Sequence, residues 1–177
     1  MIVLFGKTCS GKTTVAEALE EKGIEKVVTV TTRKKRPGEV MGRDYIFITQ
    51  EFFDSMESRG EFAETARYVM AGNIPVSYGS LRRDYENGNK VIVLSPSGLK
   101  AVREAGIDVF AIYVSLDDEI IRQRLISRGD EPAEAKRRLK ADDEDFRNAE
   151  KLADLVIDGN DDPGENAEII LHALRVR

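Results

Sequence analysis

The side chains that most often build metal and redox centres are nearly missing from this chain: one cysteine, Cys9, one histidine, His172, and no tryptophan. A single cysteine closes no internal disulfide, which fits a reducing cytoplasm. No Cys/His grouping has the spacing of a zinc site. Long apolar stretches are missing too. The longest run, Val109 to Val114, is far short of the roughly 20 residues needed to span a bilayer. The apolar start Ile2–Phe5 has no charged segment before it, so no secretory leader is expected. Basic charge is not in excess: 27 Lys and Arg stand against 32 Asp and Glu, a formal net charge of −5. That balance argues against a general nucleic-acid-binding role. No membrane, nucleic-acid or protein partner is expected.

What is present reads as one globular domain. The 177 residues are 41% hydrophobic and 33% charged, enough for a substantial core. Strand-like runs at Ile2–Phe5, Lys26–Val30, Lys90–Leu94, Val109–Val114 and Leu155–Asp158 alternate with helical segments. This alternation predicts an α/β fold, a parallel central sheet of about five strands with helices on both faces. Helices are expected over 12–21, stopping near Gly23; from Pro96, capped by Ser95; from Asp117; over 133–151; and from Pro163. Two segments interrupt the pattern. Residues 31–80 read as a small inserted lobe with its own short strands, and about 128–140 as an arginine-rich lid. The core is then about 1–30 and 81–177. His172 and the acidic run Asp142-Asp143-Glu144-Asp145 read as structural or solvated positions.

The strongest single motif is Gly6-Lys7-Thr8-Cys9-Ser10-Gly11-Lys12-Thr13, which fits G-x-x-x-x-G-K-[ST] at every fixed position. It follows a strand and opens a helix that continues with Thr14, as a phosphate-binding P-loop requires. Glycines let backbone N–H groups reach a polyphosphate, and the helix N-terminus adds partial positive charge. Lys12 is expected on the β- and γ-phosphates of ATP, and Thr13 on Mg²⁺. Cys9 reads as a tolerated loop residue. After the second strand, Arg33-Lys34-Lys35-Arg36 forms a second basic cluster suited to an anionic group.

Further motifs follow in order: Thr31-Thr32-Arg33, Arg36-Pro37-Gly38-Glu39, Gly42, Asp44-Tyr45, Phe47, Gly60-Glu61-Phe62, Glu64, Gly72-Asn73 and Tyr78-Gly79-Ser80. Downstream come Arg124-Leu125, Arg128-Gly129, Arg138-Leu139 and Asn160-Asp161-Asp162. Together they resemble the guanylate kinase family over nearly the whole chain. The resemblance implies that ATP phosphorylates GMP, with ATP and Mg²⁺ as donor and metal. It implies GMP-phosphate contacts for Arg33, Arg36, Tyr45 and Tyr78. Guanine contacts fall to Thr29, Glu64 and Ser80 beside Gly79. Lid roles in catalysis fall to Arg128 and Arg138 together with Lys12, and Asn160 joins the donor site. A carboxylate such as Glu64 can accept both N1–H and N2–H of guanine, which adenine cannot offer.

Three departures from the family pattern stand out. Where its third strand ends in two aspartates, this chain has Val93 and Ser95, so Ser95 meets the acceptor site without a charge. Met70 to Val76 is expected as an extra loop beside the base. Asp130-Glu131-Pro132 replaces a polar stretch of the lid. The acceptor can then be another (deoxy)nucleoside monophosphate. A non-catalytic binding module is the remaining alternative, and the presence of Lys12 and Thr13 counts against it.

Overall fold

The computed structural model describes residues 1–70 and 72–177. Its central sheet is all parallel: β1 (Ile2–Phe5), β2 (Glu25–Lys26), β7 (Lys90–Val93), β8 (Phe110–Ser115) and β9 (Leu155–Asp158), ordered β2-β7-β1-β8-β9. Strand β1 lies in the middle, with all four of its residues buried. Alternate side chains go to opposite faces. Ile2 and Leu4 join Val15, Leu19, Ala167 and Ile170 of α1 (Lys12–Glu21) and α6 (Pro163–Arg175). Val3 and Phe5 join Leu99 and Val102 of α3 (Pro96–Glu104) on the other face. A doubly covered sheet explains why these strands read as continuous apolar runs.

The expected strand at Lys26–Val30 is not one strand. It splits into β2, at the edge of the central sheet, and β3 (Val30–Thr31), which belongs to a second sheet. That sheet is ordered β4-β3-β6-β5, with β4 (Ile46–Phe47), β5 (Phe62–Met70) and β6 (Ile74–Leu81). Its own small core packs Phe53 and Met56 of α2 (Gln50–Ser58) on Val30, Phe62 and Leu81. Phe53 and Phe62 stack at 4.5 Å. Thr29 lies at the break, so the chain crosses from one sheet to the other there.

The extra loop expected at Met70–Val76 is instead a longer hairpin. Met70 ends β5 opposite Ile74, and Val76 pairs with Tyr68. Gly72 and Asn73 make the turn with φ of 77° and 56°, a backbone shape that Gly and Asn adopt at low cost. Ala71 of that expected loop lies outside the described residues.

The helix expected over 133–151 also ends early. After α4 (Asp118–Ser127), helix α5 runs Pro132–Asp145 and stops. Phe146 then turns inward onto the core beside Tyr113, with ring centroids 6.4 Å apart. Asn148 takes a left-handed φ of 60° ahead of a short turn at Ala149–Leu152. No helix among the described residues is long and apolar enough to cross a membrane.

Candidate active site

The P-loop leaves the carboxyl end of β1, between β7 and β8, where open α/β sheets bind ligands. Two of its glycines are needed for geometry. A Cβ on Gly6 would strike the Val114 carbonyl oxygen, and Gly11 has a φ of 103°. Lys12 Nζ donates to the Gly6 and Lys7 carbonyl oxygens at 2.8 and 2.6 Å. Burial lowers its pKa to about 8, against the opposing pull of Asp142. The loop is braced by Arg124, which in the sequence stands only within the downstream motif Arg124-Leu125. Its guanidinium donates to the Cys9 carbonyl at 3.2 Å and to the Gly159 carbonyl at 3.2 and 3.1 Å. The bracing contact spans 115 residues of sequence, so the motif marks the residue but not what it holds.

A cavity of about 620 Å³ opens beside the loop, lined by Gly11, Lys12, Thr13, Thr14, Arg124, Arg128 and Asn160. Of the expected donor residues, Cys9, Gly11, Lys12, Thr13, Thr14 and Asn160 line it, whereas Gly6, Lys7, Thr8 and Ser10 do not. A second space of about 460 Å³ joins Thr8, Cys9, Lys12 and Thr13 to Thr29, Arg36, Tyr45, Tyr78, Arg128 and Arg138. Donor-side and acceptor-side residues face one another there.

Arg33 is 5% exposed and lies behind this space rather than on it. Its Nη1 and Nη2 grip Glu39 at 3.0 and 2.7 Å, Nη1 also meets the Lys34 carbonyl at 2.8 Å, and Nε meets Tyr78 Oη at 3.1 Å. Four of the five guanidinium donors are engaged, three of them on Tyr78 and Glu39 and one on the Lys34 carbonyl. Burial works against the Arg33 charge, but Glu39 and Tyr78 outweigh it and raise its pKa. Arg36 faces the cavity itself. Burial, then the neighbouring guanidiniums of Arg33, Arg138 and Arg128, push its pKa down. Positive charge is therefore concentrated where two phosphates would meet. Tyr45 and Tyr78 meet edge to face at 5.8 Å, and Tyr78 meets Tyr68 the same way at 5.8 Å.

A third space, about 250 Å³, extends the site toward Glu64, Tyr68, Gly79 and Ser95, with Gly6, Thr8 and Thr29 at its mouth. Glu64 is 8% exposed, and burial raises its pKa. Ser80 is fully buried and donates to Glu64 Oε1 at 2.8 Å. It does not line the space, so its hydroxyl sits behind the carboxylate. Ser95 caps α3, accepting from the Gly98 N–H at 3.1 Å, and turns toward Ser97 Oγ at 2.9 Å. Gly98 has no side chain where Glu64 lies: a Cβ would come within 2.9 Å of Oε2.

The acidic run on α5 departs from its expected solvated role. Asp142 Oδ2 accepts from the Thr8 N–H at 2.6 Å, and Asp143 Oδ1 accepts from Lys7 Nζ at 2.6 Å. Asp118 Oδ1 shares Lys7 at 2.7 Å. Burial holds the Asp142 carboxyl above its usual range, whereas Lys7 is raised because its two carboxylates outweigh burial. Asp130, in the stretch expected as a lid, pairs with Arg128 at 2.7 Å and Arg138 at 3.5 Å.

A P-loop at the central strand, two cationic sides and an arginine-bearing turn over them define a P-loop nucleotide-binding protein. The sequence model of guanylate kinases matches residues 1–172. The chain is 37% identical to the guanylate kinase of Symbiobacterium thermophilum over 169 residues, covering 91% of this chain and 78% of that protein. It is 38% identical to the guanylate kinase of Lactococcus lactis subsp. lactis over 152 residues, covering 81% and 73%. The crystal structure of guanylate kinase from Anaplasma phagocytophilum superposes with a TM-score of 0.75 at 29% identity, over 99% of this chain and 85% of that one. The chain belongs to the guanylate kinase family.

Proposed function

We propose that this protein transfers the γ-phosphoryl group of ATP to GMP, giving ADP and GDP, by in-line displacement in the cytoplasm. The reading is carried by the space in which Lys12, Thr13, Arg128 and Arg138 face Thr29, Arg36, Tyr45 and Tyr78. Phosphoryl transfer asks a protein for positioning and charge neutralisation rather than a covalent intermediate. Residues Gly6 to Thr14 and Asn160 take the donor. Lys12 leaves the Gly6 and Lys7 carbonyls for the β- and γ-phosphates. Arg36, Arg128 and Arg138 spread charge over the transferred group, while Arg33 holds Tyr78 in place for the acceptor phosphate. Gly79 lines the base-side space, and its missing side chain makes room for the Phe62 ring, which a Cβ would meet at 2.8 Å. Glu64 takes the N1–H and N2–H of guanine, and a base without them leaves a buried carboxylate unpaired.

The metal in this reading is Mg²⁺ carried in with the nucleotide. Among the described residues no cluster of three or more His, Cys, Asp or Glu could hold an ion. Thr13, on the phosphate cavity, would be the protein's ligand to it, a hydroxyl beside phosphate oxygens being a hard-oxygen donor set that suits Mg²⁺. Mg²⁺ supplies neutralisation of phosphate charge. An ADP-release assay across GMP, dGMP, AMP, CMP and UMP tests the reading. GMP is expected to lead; no turnover with any of them would sink it, and a different leader would refute the guanine assignment.

A further inference from the structure

Ser80 Oγ lies between two oxygens, Glu64 Oε1 at 2.8 Å and Tyr85 Oη at 2.7 Å. A serine hydroxyl has one proton, and an ionised carboxylate has none to give. The Ser80 proton therefore points at Glu64. The opposite choice would set two lone pairs against each other at 2.8 Å. Ser80 is then left as an acceptor toward Tyr85, and the phenol must donate. The chain of donors runs from Tyr85 O–H to Ser80 Oγ, and from Ser80 O–H to Glu64 Oε1. Tyr85 ends the single turn Arg82–Tyr85 that follows β6, and its ring packs against the core on the α3 face of the central sheet. Burial pushes its phenol pKa up, so it keeps its proton at any physiological pH. The relay ties a carboxylate on β5 to the hydrophobic core through two hydroxyls.

We propose that Tyr85 is a positioning residue that sets the base preference of the acceptor site by holding Ser80, and through it the plane of the Glu64 carboxylate. The proposal rests on the reading of Glu64 as the group that meets the base. Glu64 Oε1 is fixed by Ser80, and Oε2 is backed by Gly98, where a Cβ would reach 2.9 Å. The two oxygens are thus presented in one orientation. A pair of N–H donors on one edge of a base requires that orientation, and a single donor does not. Ser80, fully buried, acts in this scheme from behind the carboxylate.

Steady-state kinetics of the full chain with GMP and AMP, varying ATP separately, test this. Loss of one hydrogen bond of about 1 kcal/mol is worth about fivefold. Tyr85→Phe is expected to raise KM for GMP about fivefold, lower the GMP-over-AMP preference by a similar factor, and leave kcat and KM for ATP within about twofold. Ser80→Ala cuts the same relay at its middle and is expected to raise KM for GMP at least as much. The double variant is expected to match Ser80→Ala alone, whereas a purely structural role for Tyr85 would add to it. An unchanged KM for GMP in either single variant, or additive losses in the double, overturns the proposal. Glu64→Ala separates the two levels. If it abolishes the GMP preference while Tyr85→Phe changes nothing, the relay alone is wrong. If it leaves the preference intact, the base-reading assignment fails and the relay with it.

Discussion

Asp142 Oδ2 lies 2.6 Å from the Thr8 backbone nitrogen, so a carboxylate of α5 holds an N–H of the phosphate loop. The next residue, Asp143, takes the Lys7 ammonium at 2.6 Å. Two successive acids therefore fasten α5 to the Gly6–Thr13 loop, whose N–H groups an incoming polyphosphate would use in the proposed reading. The Asp142 contact is part-buried, and desolvation holds the Asp142 carboxyl above its usual range.

Asp142→Asn should therefore tighten ATP. The amide keeps an acceptor for Thr8 but removes a negative charge from the phosphate site. We expect the Kd for ATP to fall about three- to tenfold, about 1 kcal/mol. Titration calorimetry with ATP checks it; weaker binding would mean that the carboxylate assists the nucleotide instead of competing with it.

Lys12 gives a prediction in pH. Its pKa is lowered from 10.5 to about 8, chiefly by burial. At pH 8.5 much of the ammonium has already lost its proton in the nucleotide-free protein, and phosphate oxygens favour the charged form. ATP binding should then take up a proton, and affinity should fall as pH rises through about 8. Calorimetry at pH 8.5 in buffers of different ionisation enthalpy reads that proton directly. Lys12→Ala should abolish both the uptake and turnover.

Gly98→Ala isolates the carboxylate from the rest of the site. The added methyl would sit 2.9 Å from Glu64 Oε2, closer than real Cβ contacts allow, so the carboxylate must move. KM for GMP should rise about tenfold, on the order of 1.4 kcal/mol, with KM for ATP unchanged. Parallel kinetics with each nucleotide as the varied substrate decide the matter.

The same carboxylate should be visible in stability. A carboxyl group whose folded pKa lies above its unfolded value binds its proton more tightly when folded. Glu64 is raised above 4.5 by burial, so its contribution is lost as pH rises from about 4.5 through its folded pKa. Glu64→Gln removes that titration. Its stability relative to the parent should increase across this window, as read from urea midpoints at successive pH values; a flat difference would show that Glu64 is not raised.

Asp130 joins Arg128 at 2.7 Å and Arg138 at 3.5 Å. Arg128 is exposed, so its pair should add little to stability, whereas Asp130 and Arg138 are both largely buried. Asp130→Ala is expected to lower kcat about tenfold by letting the two guanidiniums separate, and to lower the melting temperature measurably through the buried Arg138 pair. Paired kcat and thermal-melt measurements test both.

Much of this protein was legible along the chain because the signals are short-range. Continuous apolar strands report burial on both faces of a sheet, and the Gly6–Thr13 spacing reports a tight turn aimed at phosphate. Ser95 and Gly23 mark helix ends by local hydrogen bonding and backbone freedom alone. The phosphate loop, the basic cluster and the order of the acceptor motifs were therefore readable by themselves. Tertiary structure alone decided what lies between them. It divided one apolar run into β2 and β3 in separate sheets. It set Ser80 behind Glu64 with Tyr85 behind Ser80, and brought Asp142 across 134 residues to Thr8. An acidic run on a helix looks the same in sequence whether it faces water or a loop of N–H groups. The difference is one of desolvation and distance, and both are properties of the packed molecule.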